Sequence, residues 1–237
     1  MMIMKQKSMT KRFFMATILA AITTFAPSTS HAENNISLGI SPFGFSKIEW
    51  YPAGEHNVYY KVDYNKSWNG NVTYEFMKNG FGFMTEFSYG QAKLDKLELI
   101  QWADIDHYEP GQSLLKEKDF DKDLKMYGGA LYLGINFFSG HRLQLPIYLG
   151  GAYDYYKCKP YEIGFLSFAA KARLRFYLVN AFSIYVGGTY KLGTCLDQKG
   201  KSFLYQNEYY YGYDVESKSQ KSKKDEFSAD AGLIFTF

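Results

Sequence analysis

Charged side chains in this chain recur inside stretches that otherwise alternate apolar with small residues. Lys171, Arg173 and Arg175 alternate with Ala170, Ala172, Leu174 and Phe176, while Glu75, Glu86, Asp154, Lys191, Glu226 and Asp230 hold the same kind of position elsewhere. Side chains on a strand alternate between two faces, so each of these charges falls opposite the apolar row of its own strand. The chemistry open to such a set is ion pairing. Both signs are present, and a buried charge without a partner is costly, so the set reads as a paired, water-poor network plugging an interior. The sharper alternative is a narrow polar pore or anion site lined by Lys171, Arg173 and Arg175.

Other residues offer chemistry of less definite kinds. His107 follows Asp106, an acid placed to orient an imidazole, whereas His56 lies beside Glu55 without a serine and His141 sits in a short turn. Asp119, Asp121 and Asp123 have the odd-position carboxylates of a calcium loop. Leu124 stands where that loop needs glycine and Ala130 where it needs glutamate, so a solvated loop end is the reading and no metal or other cofactor is expected. Tyr205, Tyr209, Tyr210, Tyr211 and Tyr213 form a cluster that suits either a contact surface for an extracellular ligand or an aromatic rim packed on its own loop. Cys158 and Cys195 leave a disulfide and two unpaired thiols equally open.

Strands must position these groups. The alternation predicts strands at residues 35–41, 71–77, 81–89, 124–138, 145–157, 166–178, 182–192 and 226–237. Lys78-Asn79-Gly80 is a tight hairpin signal, because Asn-Gly tolerates the positive φ of such turns. Further short turns fall at 139–143 and 179–181. The connections at 43–70, 91–123, 158–164 and 193–224 are generally longer, and a strand-like piece at 58–64 inside the first leaves ten strands possible.

Residues 1–32 read as a secretory signal: Lys5, Lys7, Lys11 and Arg12 lead an apolar run that ends at Ser30-His31-Ala32. Taking those four from the 27 basic residues leaves 23 against 24 acidic ones, so residues 33–237 are nearly neutral and nothing calls for nucleic acid. No segment is long and apolar enough for a spanning helix, so any membrane crossing must be by strands. With 22 Tyr and 20 Phe, the chain is rich in the residues that favour strands and membrane interfaces.

The faces themselves distinguish a membrane barrel from a soluble one. The apolar rows hold almost only Leu, Ile, Val, Phe, Tyr and Ala, with aromatics such as Tyr127, Phe137, Tyr153, Tyr155, Phe182, Tyr190 and Phe237 near strand ends, as an interface girdle requires. The other rows are rich in small residues, which suit the crowded interior of eight strands. A soluble lipocalin-like barrel would scatter charge over its outward rows instead. The expectation is an all-β, eight-stranded antiparallel up-and-down transmembrane barrel, with short turns and both termini in the periplasm and long loops outside.

The leader, the eight alternating strands, the unequal turns and the closing Leu233, Phe235 and Phe237 together resemble the small outer-membrane β-barrel superfamily of the OmpA, OmpX and opacity-protein type. The resemblance spans residues 33–237. It implies a bacterial outer-membrane location, contact with outer-membrane lipid, and an assembly signal at Leu233, Phe235 and Phe237 read by the barrel-assembly machinery. Enzymes built on such barrels, lipid A acyltransferases and deacylases and omptin-like proteases, use a His with a Ser or Asp at the outer rim. No motif of theirs is matched here, and the expected role is structural or surface-binding rather than enzymatic.

Overall fold

The structure is a computed structural model that describes residues 32–51, 58–101, 120–138, 141–159, 161–201, 214–217 and 222–237. Nine strands follow in order: β1 (Ala32–Trp50), β2 (Val58–Lys78), β3 (Phe81–Gln101), β4 (Asp123–Phe137), β5 (Leu143–Lys157), β6 (Tyr161–Val179), β7 (Phe182–Lys201), β8 (Asp214–Ser217) and β9 (Lys223–Thr236). Each of β1 to β7 neighbours the next, and β9 pairs with both β7 and β1, which closes a ring of eight. Closure leaves the ring without an edge. The short β8 lies outside the ring, paired only with residues 198–201 of β7, so the ten-stranded alternative is not realised among the described residues.

The tight turn forms as its residues dictate. Lys78 pairs with Phe81, and Asn79 and Gly80 both take positive φ, at 54° and 80°. That is the mirror-image turn whose twist matches the flanking strands.

Parts of all four expected longer connections are strands, including residues 161–164, which open β6. Residues 43–50 and 58–70 belong to β1 and β2, 91–101 to β3, and 193–201 to β7. Pro42, which has no N–H to give to a ladder, falls at a register shift between Ile40 and Phe43. A bulge there absorbs the missing N–H and flips the alternation: Ile36, Leu38 and Ile40 face out below it, Phe43 and Lys47 above it. At this end β1 runs to Trp50, β3 to Gln101 and β7 to Lys201, each well beyond the expected end of its strand.

The faces divide as the alternation demands. Leu166, Phe168, Leu174 and Leu178 on β6, and Leu233 and Phe235 on β9, are exposed on the outside, with Leu166 53% and Leu233 42% accessible. On the opposite face of β6, Lys171 and Arg173 are only 3% and 1% accessible. A soluble barrel reverses this order. On β4 the apolar row runs from Tyr127 to Phe137, roughly 33 Å of strand. At the usual tilt that makes a belt about 25 Å tall, the height of a hydrocarbon layer.

The belt has definite limits. Its upper rim carries aromatics in contact, Trp68 with Tyr89 at 5.5 Å and Tyr89 with Tyr127 at 5.1 Å between ring centroids. Beyond that rim the same outward rows turn charged, at Lys47, Lys93, Lys125, Lys157 and Lys223. The strands then continue past the belt on the side opposite the tight turns.

Candidate functional site: the charged lumen

Ten ionisable side chains that carry charge are buried among the described residues, and they balance. Five are cations (Lys171, Arg173, Arg175, Lys191, Lys224) and five are carboxylates (Glu75, Glu86, Asp154, Glu226, Asp230). All nine charged residues singled out from the sequence are inside, drawn together from β2, β3, β5, β6, β7 and β9. Each points inward for a local reason: it occupies the parity opposite an outward Leu, Phe or Ala on its own strand.

Nearest the tight turns, Glu75 is the best-satisfied carboxylate. It accepts from Arg175 Nη2 on both oxygens, at 2.9 and 2.7 Å, from the Tyr148 hydroxyl at 2.5 Å, and from Asn35 Nδ2 at 3.0 Å. Asn136 and Gln144, joined at 2.6 Å, are also buried.

The middle tier is looser. Lys171 Nζ lies 2.5 Å from Glu86 and 3.2 Å from Asp230. Arg173 stands 3.8 and 4.0 Å from the same two carboxylates, donates from Nη1 to the hydroxyls of Ser37 and Thr73 at 3.3 Å each, and lies over the Tyr185 ring at 4.3 Å. Arg173 Nε and Nη2 and both Asp230 oxygens make no hydrogen bond of good geometry.

In the upper tier two lysines serve two carboxylates. Asp154 takes Lys191 at 2.7 Å and Lys224 at 2.5 Å; Glu226 lies 3.4 Å from Lys224 and 4.0 Å from Lys191, and accepts from the Tyr156 hydroxyl.

Lys224 is the member that sequence reasoning placed in a loop. Its signal was present, since Lys224, Glu226, Ser228 and Asp230 keep one parity and all four are buried. The Ser/Lys composition of the preceding run obscured it. The hydroxyls of Tyr148 and Tyr156 were missed for a different reason: parity puts both on the inward row, but which carboxylate each meets depends on strands far away in the chain.

Above the charges the interior turns apolar. Trp50, Tyr60, Tyr64, Phe120, Tyr156, Tyr161, Ile163 and Phe165 belong to one buried cluster that also holds both cysteines. Trp50 lies 5.5 Å from the Tyr60 ring and 4.9 Å from that of Tyr161, and the hydroxyls of Tyr64 and Tyr161 meet at 2.8 Å. These residues come from the upper parts of β1, β2 and β6, stretches the sequence reading had partly assigned to connections.

The disulfide alternative falls away, because Cys158 and Cys195 are both free thiols. Cys158 Sγ is instead 3.5 Å from the Tyr64 hydroxyl and donates to the Lys159 carbonyl at 2.9 Å. Burial pushes the Cys158 thiol up to about 11, with the nearby Asp121 carboxylate adding to the rise, and burial carries Cys195 to about 12.

Of the remaining candidates, His141 is exposed in the turn between β4 and β5. His56, His107 with Asp106, and Tyr205, Tyr209, Tyr210, Tyr211 and Tyr213 lie outside the described residues. Asp121 and Asp123 are exposed, and Asp121 accepts from the Lys159 backbone N–H at 2.9 Å, a loop contact. Among the described residues no three His, Cys, Asp or Glu side chains are grouped to hold a metal ion. Leu233, Phe235 and Phe237 all face outward.

No protein-family profile matches the sequence, and no curated protein matches it. Solved structures do. The outer membrane protein OprG from Pseudomonas aeruginosa is 12% identical over 89% of this chain and 98% of its own, with a TM-score of 0.54. The outer membrane protease OmpT from Escherichia coli is 12% identical over 91% of this chain and 100% of its own, with a TM-score of 0.48. Neisserial surface protein A is 10% identical over 86% and 97%, with a TM-score of 0.45. At these identities the likeness is one of fold, and it is carried by OprG: the chain has the fold of the small outer-membrane β-barrel proteins.

Proposed function

We propose, for a chain with this fold, an integral β-barrel protein of the bacterial outer membrane whose lumen is closed and whose role is structural or surface-binding. Residues 1–32 serve as the export signal, and Leu233, Phe235 and Phe237 as the signal to the barrel-assembly machinery. Outer-membrane lipid surrounds the belt. The connections beyond the charged collar face outward from the cell and meet a ligand there, with the loop tyrosines as contact surface.

The observation that carries the closed lumen is the balance of five cations and five carboxylates, paired tier by tier beneath an aromatic cluster. Eight strands enclose an interior that side chains just fill. Charges held this way stabilise one another: the row of cations on β6 faces Glu75, Glu86 and Asp230 from β2, β3 and β9. The outward apolar rows support the membrane location.

The narrow pore keeps one observation on its side: the imperfect hydrogen bonding of Arg173 and Asp230 fits water in the middle tier. Planar-bilayer recording of the purified protein separates the two. A closed lumen yields no discrete conductance steps; reproducible steps that change in size with Arg173→Ala would establish the pore instead.

A further inference from the structure

The end of the barrel at the tight turns carries two cations that no carboxylate answers. Lys78 closes β2 and Arg142 precedes β5; both are exposed, and neither joins an ion pair among the described residues. No Asp or Glu occurs in residues 76–82, 134–146 or 174–182, which make the ends of β2 to β6 and their turns on this side. Glu33 lies near the mouth, but it accepts from the Tyr177 hydroxyl at 3.2 Å. The opposite rim differs: Lys157 there is 2.8 Å from Glu162, and Lys96 pairs with Glu98.

Main-chain bonds hold the two cations at one level. Lys78 pairs with Phe81 across the turn, the Gly80 carbonyl accepts from the Asn136 N–H at 2.7 Å, and the Arg142 carbonyl accepts from the Tyr177 N–H at 2.8 Å. β3 and β4 separate them, so their backbones stand three inter-strand steps apart, roughly 14 Å. Both side chains are long enough to converge on one head group. Between them the exposed face carries Phe81, Phe137 and Leu143, the lower edge of the apolar belt. Such an edge is where hydrocarbon gives way to head groups.

A second feature points outside the protein. Phe138 has φ of 63°, a left-handed backbone that a bulky L residue rarely adopts. Glycine or asparagine would hold that turn with less strain. The Phe138 ring is 64% accessible, so packing within the protein does not offset the strain. Strain of this kind collects where a side chain is used, and an exposed aromatic at the edge of the belt is of use to lipid.

Two unanswered cations beside an apolar, aromatic edge complement a lipid with two phosphates, several acyl chains and no ammonium. Phosphatidylethanolamine brings an ammonium, which finds no carboxylate on this arc. We propose that the rim seats one cardiolipin molecule of the periplasmic leaflet. One phosphate sits at Lys78 and the other at Arg142; acyl chains run over Phe81, Phe137 and Leu143, with the Phe138 ring at the level of the glycerols. The proposal rests on the outer-membrane reading above, with the tight turns in the periplasm.

The test is native mass spectrometry of the folded protein, released from detergent after incubation with an equimolar mixture of cardiolipin, phosphatidylglycerol and phosphatidylethanolamine, with heat-modifiable gel migration recorded in parallel. The expected result is one cardiolipin retained per barrel, by about tenfold over either other lipid. Lys78→Gln with Arg142→Gln should abolish that preference with gel migration unchanged. Phe138→Asn should lower cardiolipin retention several-fold while the unfolding midpoint holds or rises, because the turn is relieved. Equal retention of the three lipids, preference for either of the other two, or a preference that survives the double substitution would overturn the seat. Full retention by Phe138→Asn would overturn the part given to its ring. Loss of heat-modifiable migration in the unaltered protein would instead bring down the barrel itself, and the rim with it.

Discussion

Arg175 and Glu75, 100 residues apart in the chain, meet inside the barrel with one guanidinium nitrogen 2.9 and 2.7 Å from the two carboxylate oxygens. Both are buried, and the tier around them leaves neither without partners. Removing one member of such a pair strands the other in a poorly solvated interior, at a cost of about 3–5 kcal/mol. Glu75→Gln should therefore lower barrel stability by that order, read as the midpoint of denaturant unfolding in detergent. Asp230→Asn, where no well-formed hydrogen bond is lost, should cost less. An equal or reversed effect would mean that the tiers are not bonded as described.

Neighbouring lysines on β9 offer a test of face. Lys224→Met leaves Asp154 and Glu226 to share Lys191 and should destabilise by about 3–5 kcal/mol. Lys223→Met, one residue away on the exposed face, should change stability by no more than about 0.5 kcal/mol. Similar effects at the two positions would contradict the register of β9.

The thiols give a pH dependence with a definite sign. Folding raises the Cys158 thiol to about 11 and Cys195 to about 12. Stability from keeping them protonated is fully present below the ordinary thiol range and is lost as pH rises towards and through those values. At pH 8 the folded protein should resist iodoacetamide, take up two equivalents once unfolded, and show the same unfolding midpoint with or without reductant. Rapid labelling of the folded barrel, or a shift on reduction, would count against the buried free thiols.

Membrane depth can be read from tryptophan. Trp68 is exposed at the upper rim of the belt, whereas Trp50 is enclosed in the aromatic cluster. With Trp50 and Trp102 replaced by Phe, emission from Trp68 should be quenched by lipids brominated near the head group. With Trp68 and Trp102 replaced, emission from Trp50 should be largely insensitive to them. Quenching of Trp50 to the same extent would place the cluster at the lipid boundary.

Phe237 separates assembly from stability. It is 69% accessible, so its ring contributes little packing, while its backbone N–H bonds the Asn34 carbonyl at 2.9 Å. Phe237→Ala should refold in detergent with an unchanged midpoint and yet reach the outer membrane in several-fold lower amount. Equal yield in cells would remove the proposed assembly signal.

Local rules were sufficient for the parts of this protein governed by nearest neighbours. The period of two determined which residues face outward and which face the lumen, from Leu166 against Lys171 to Leu233 against Asp230. Asn79-Gly80 specified its turn, because positive φ is a property of the residues themselves. The tertiary structure alone decided what those rules do not reach. Which carboxylate meets which cation depends on register between strands as distant as β2 and β6. Residues 43–50, 58–70 and 91–101 form strands because closure of the ring and the aromatic cluster around Trp50 and Tyr161 override Pro42 and Trp68-Asn69-Gly70, which by themselves signal turns. The fate of Cys158 and Cys195 likewise rested on side-chain geometry that spacing along a chain does not contain.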